Sequence, residues 1–142
     1  MRAARRAMLK EVHVAPLTSF VDALRHDIGL TTEIPYFDPL DGGIDAKILF
    51  VLEAPGAKAV ASGFVSRNNP DESARNMFLL LQEAGFNRSE TALWNIVPWY
   101  IGTGKKIRPA KSEDIQAGFP YLIRVVELMP NLKGIVLGSV DN

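Results

Sequence analysis

The clearest pattern in the chain is an unbroken apolar run, KILFVL, from Lys47 to Leu52. A run of that length without alternation predicts a strand covered on both faces, as strands of a parallel sheet are. TALWNIV, from Thr91 to Val97, reads the same way and is stopped by Pro98. GIVL, at Gly134–Leu137, predicts a third strand. Between these runs the apolar positions recur at helical spacing. TSFVDALRHD, from Thr18 to Asp27, predicts a short helix with Thr18 or Ser19 as its N-cap and Gly29 beyond its end. A second helix is expected from Asp71 to Ala84, with Met77, Leu80, Leu81 and Ala84 on one face. A third starts at Ser112 with the stripe Ile115, Phe119, Leu122, Val126 and Met129. Pro120 lies inside it and predicts a kink or two short helices, and Pro130 ends it. TTEIPYFDPLDGG, with two prolines and a Gly-Gly pair, predicts a long loop or a lid.

Strands alternating with helices imply right-handed crossovers and a layered α/β fold, three-layer α/β/α around a central parallel sheet. In such sheets ligands bind at the carboxyl ends of the strands. That rule directs attention to Glu53 onward, Asn95 onward and Gly138 onward.

Composition narrows the function classes. With 142 residues the chain is one domain, 1–142, divided into an N-terminal helix and loop (1–46) and a core (47–142). A hydrophobic fraction of 47% against 23% charged excludes wholesale disorder. The absence of cysteine excludes disulfides, Cys-based zinc sites, iron–sulfur clusters and thiol nucleophiles, and fits a cytoplasmic location. Sixteen basic residues balance sixteen acidic ones, which excludes a globally basic nucleic-acid binder but not a local basic patch. No apolar run is long enough to span a bilayer. The basic opening MRAARRAMLK is followed by no secretory apolar region and reads as a frayed tail, with a weak transit signal as the alternative.

Four groups of residues could carry chemistry. EAPG, from Glu53 to Gly56, puts an acid at a strand end, before a proline that fixes the turn and a glycine that admits close backbone approach. A plain strand-to-loop turn is the competing reading. Asn95 lies near the end of the second strand, in WNIVPW, and its amide both donates and accepts, so it can read a base edge or cap a buried strand. Trp94, Trp99 and Tyr100 crowd the same end as stacking or core rings. The loop GTGKKIRPAK carries Lys105, Lys106, Arg108 and Lys111 with no acid, suiting a phosphate backbone or plain solvation. GFVSRNN places Phe64 and Arg67 in the crossover after the first strand, Phe64 as a stacking platform or a core ring. His13 and His26 are isolated and offer no metal site.

Together these pieces resemble the uracil-DNA glycosylase superfamily, from about Lys47 to the end of the chain. EAPG looks like the family's first motif, in the GEAPG form of its thermophile-type, iron–sulfur branch. GFVSRNN is similar to the next segment, in which an aromatic stacks on a flipped base. Trp94-Asn95 falls where the family carries its base-reading asparagine. IRPAKSED followed by PYLIRVVELMPNLKGIVLG resembles the Pro/Arg loop, helix and third strand. Leu52 stands where a glycine usually precedes the acid, and the branch's cluster-binding cysteines are absent. The family's last motif, a His-containing strand end with a minor-groove wedge, has no counterpart before GSVDN. The resemblance therefore implies a domain incomplete at its C-terminus or a degenerate member, nearly inactive on uracil-containing DNA.

The resemblance implies a DNA N-glycosylase of base-excision repair that excises uracil or a related deaminated base. Glu53 is its expected catalytic carboxylate. Ala54, Gly56, Phe64 and Asn95 are the expected contacts to the extruded base, and Arg67, Lys105, Lys106 and Arg108 the contacts to DNA. No metal or organic cofactor is required. The family's strand order 2-1-3-4 would leave GIVL as an edge open to self-association. Two other readings stay open: a non-catalytic nucleic-acid-binding module, and an unrelated α/β protein holding a small phosphorylated ligand.

Overall fold

The structure, a computed structural model, describes residues 2–29, 34–65, 76, 79–80, 82–103, 106–107 and 110–137. Its centre is a parallel sheet of three strands, β2 (Ile48–Leu52), β4 (Thr91–Asn95) and β7 (Gly134–Leu137), in the order β4-β2-β7. This is the 2-1-3 order that the family resemblance implied. In register, Ile48 faces Thr91 on one side and Gly134 on the other, and Leu52 faces Asn95. Neighbours on both edges pair the backbone of β2, and burial of Leu49, Phe50 and Val51 on alternate faces matches the unbroken apolar run.

Two helices build the core against this sheet. Helix α2 (Ala15–Ile28) buries Leu17, Phe20, Val21 and Leu24. It begins three residues before the expected Thr18 cap, with Pro16 in its first turn, where a missing N–H costs nothing. Thr18 instead donates its hydroxyl to the Leu9 carbonyl at 2.8 Å. The helix ends as expected, on Gly29 in the left-handed region (φ 81°) with its N–H on the Arg25 carbonyl.

The last helix, Ser112–Glu127, buries Gly118, Leu122 and Val125. The expected stripe is thus rotated: Ile115 and Phe119 are exposed, while Leu122 and Met129 are buried. It also runs unbroken through Pro120. Pro120 and Gln116, whose carbonyl loses its intrahelical donor, both lie on the exposed side, where solvent satisfies such a group.

The opening segment is helical and not a frayed tail, and the expected long loop carries one short strand. Helix α1 (Arg2–Ala7) carries Arg5, which pairs with Asp38 at 3.3 Å. Asp38, its side chain fully buried, also takes Arg88 at 2.8 Å, and Arg88 reaches Asp41 at 2.8 Å. Within the expected lid, β1 (Tyr36–Phe37) pairs in parallel with β3 (Phe64–Val65), which follows helix α3 (Ala57–Ser62). Phe37 anchors it by stacking on Trp94, with ring centroids 4.2 Å apart and planes within 4°. Trp94 is therefore a core ring, met edge-on by Phe20 at 6.3 Å. Glycine is required at Gly42 and Gly43, where a Cβ would strike the Ser89 and His13 carbonyl oxygens.

The GTGKKI segment forms a short antiparallel pair, β5 (Gly102–Thr103) with β6 (Lys106–Ile107). Of the helix expected from Asp71 to Ala84, the described residues 76, 79–80 and 82–83 are helical, Ala84 already lies in the turn that follows, and the rest lies outside the described residues.

Candidate functional site at the carboxyl ends of the parallel strands

Backbone hydrogen bonds still join the two chains just past the ends of β2 and β4. The Ile96 N–H donates to the Leu52 carbonyl and the Val97 N–H to the Glu53 carbonyl, both at 2.9 Å. Glu53 and Asn95 are thereby fixed on adjacent main chains at the edge where an α/β sheet places its ligands. Pro98 then ends the pairing.

The Glu53 side chain is held as well. Its Oε1 accepts the Ala110 N–H at 2.7 Å, a bond to an ionised acceptor that ties the far end of the basic segment to the strand end. Ala54 lies beneath, in a small apolar cluster with Val97 and Ile101. Gly56 has an ordinary φ of −84°, and a Cβ there would meet nothing within 4 Å. Neither backbone conformation nor packing demands glycine at this position. The space beside it is open, as close approach of a ligand requires.

Asn95 is 2% exposed, and its Oδ1 has no hydrogen-bond partner among the described residues. Buried polar atoms are nearly always paired, and leaving one unpaired costs about 1–3 kcal/mol. Trp94 Nε1 is also unpartnered, but it sits among the Phe37 and Phe20 rings. Asn95 ends its strand, next to Glu53, where an incoming ligand could satisfy it.

The other expected residues fare differently. Phe64 is 1% exposed, and the Arg5 guanidinium carbon stands 4.8 Å from its ring centroid, so the ring presents no open stacking face. Lys106 falls in β6; Lys105, Arg67 and Arg108 lie outside the described residues. Trp99 meets Tyr121 edge-on at 6.1 Å and both are half-buried. His13 bonds the Pro39 carbonyl through Nε2 at 2.7 Å, a packing role. Among the described residues no cluster of three or more His, Asp or Glu could hold a metal ion, and no helix is long and apolar enough to cross a membrane. The sequence reading missed Ala110 and Arg5, partners across 57 and 59 residues with no periodicity to announce them. It also missed Gly118, which had a signal: a glycine inside a helix.

The family model for the uracil DNA glycosylase superfamily matches residues 39–140. The chain belongs to the uracil DNA glycosylase superfamily. The match spans the strand ends that carry Glu53 and Asn95 and the α/β core around them. It begins in the Asp38–Asp41 turn, so helices α1 and α2 precede the part the superfamily model covers. Among curated proteins, none matches the sequence.

Proposed function

We propose that the protein is a DNA N-glycosylase that excises uracil or a related deaminated base from a flipped nucleotide. The unpartnered Oδ1 of Asn95, buried at the end of β4 opposite Leu52, carries this reading. A base entering the strand ends would offer a ring N–H to that oxygen and a carbonyl to the amide nitrogen, the pattern of uracil and not of cytosine. Glu53, held by Ala110, would orient a water or stabilise the oxocarbenium-like sugar as the N-glycosidic bond breaks. Main chain at Ala54 and Gly56 would approach the base. Stacking on Phe64 would require Arg5 to move off the ring. Arg67, Lys105, Lys106 and Arg108 would hold the DNA backbone. A second copy of the chain is a further proposed partner, along β7.

The Ala110 bond also favours a second reading, in which Glu53 only anchors a loop of a non-catalytic nucleic-acid-binding module. Glu53→Gln separates the two, because it keeps an acceptor for Ala110 and removes the charge. Under the proposal, single-turnover base release from a single-stranded uracil oligonucleotide falls by roughly 10²–10⁴. Unchanged release in Glu53→Gln would assign Glu53 to the loop.

A further inference from the structure

The helix Ser112–Glu127, α4, packs at Gly118 against the turn that follows β4. Glycine is among the poorest helix formers, and here its backbone is ordinary right-handed helix, so no unusual φ calls for it. Space does. A Cβ on Gly118 would collide with the main-chain carbonyl of Ile96 and lie 3.3 Å from Pro98 Cδ. Ile96 and Pro98 belong to the turn that immediately follows Asn95. The other side of that turn is fastened to the end of β2 by the two 2.9 Å bonds to Leu52 and Glu53. The turn is thus clamped between a strand end and the bare backbone of a helix.

We infer that Gly118 is a positioning residue for base recognition, acting through Asn95. The inference rests on the reading of Asn95 as the base-reading group. The closeness of α4 sets the position of the 96–98 turn, and the turn sets where the Asn95 amide stands relative to Glu53. A side chain at 118 pushes the turn toward the strand ends. A misplacement of about 1 Å at a reacting site can cost on the order of 100-fold. The sequence cost of this arrangement is visible, since the helix accepts a glycine at the point of closest approach.

The test is the ratio of affinities for two single-stranded oligonucleotides that differ only in one uracil or cytosine, read by fluorescence anisotropy. Wild type, Gly118→Ala, Asn95→Ala and the double variant are compared. Asn95→Ala should lower the ratio by roughly 5- to 150-fold. Gly118→Ala should lower it too, and the double variant should be no worse than Asn95→Ala alone, because both act through one group. An unchanged ratio in Gly118→Ala, or losses that multiply in the double variant, would overturn the inference while leaving the Asn95 reading intact. An unchanged ratio in Asn95→Ala would overturn that reading and the inference with it. Should Gly118→Ala fail to fold, Pro98→Ala, which withdraws the ring from the same contact, takes its place. It should lower the ratio in the same direction, and an unchanged ratio there overturns the inference.

Discussion

A buried amide oxygen without a partner is a burden on the folded state, and Asn95 carries one at the end of β4. If its purpose were structural, removing it would cost stability. Replacing it by an apolar side chain of similar shape instead removes an unsatisfied group, a change that can be neutral or stabilising. Asn95→Leu is therefore expected to melt at or above the wild-type temperature while losing the preference for uracil. A melting temperature clearly below wild type would make Asn95 a structural cap. At this scale the sequence disclosed what strand ends disclose. Glu53 follows the first apolar run and Asn95 lies near the end of the second, and the rule for parallel sheets points to those strand ends. The Ala110 bond to Glu53 and the Arg5 cover on Phe64 were not legible, because each joins segments far apart in the chain.

Elements were legible where a period was long enough to read. The runs at β2, β4 and β7 gave strands of the expected order, whereas β1 and β3, two residues each, are too short for any periodicity. The α4 stripe was misjudged because apolar spacing ranks Ile115 and Phe119 as core, while the close fit of Gly118 on Ile96 decides which side faces inward. Two predictions belong here. Lys105 and Lys106 belong to the acid-free basic segment GTGKKIRPAK, so the Lys105→Ala, Lys106→Ala double variant should flatten the slope of log affinity against log salt. Each lost phosphate contact should contribute about 0.7 on single strands. An unchanged slope would leave those lysines merely solvated. The second concerns Glu90, in the turn before β4. The Asn87 N–H at 3.1 Å and then Lys47 at 3.2 Å hold its carboxyl below the usual carboxylate range. A depressed folded-state value contributes stability above the ordinary value and loses it as pH falls through the folded one. Glu90→Gln should thus flatten the acid limb of stability against pH. A chemical-denaturation series at falling pH reads this directly, and an identical acid limb in the variant would contradict it.

For the whole molecule, the open edge of the sheet matters most. Strand β7 pairs with β2 on one side and with nothing else among the described residues, and Ile135, Val136 and Leu137 are exposed, Leu137 at 74%. An apolar edge of this kind invites another strand. Light scattering should show mass above the monomer that rises with concentration, and Val136→Lys should reduce it. A constant monomer mass in both would remove the second copy as a partner. The α/β class and the superfamily were both readable from the order of elements and motifs, because order survives when individual positions such as Leu52 depart from the pattern. The central claim is that the strand ends of β2 and β4 form a base-excising site, and single-turnover release of uracil from single-stranded DNA tests it most directly. The account predicts slow, residual release by the wild-type chain on single strands, loss in Glu53→Gln, and altered base preference in Asn95→Asp. Release that is absent in the wild type, or equal in all three proteins, would contradict it.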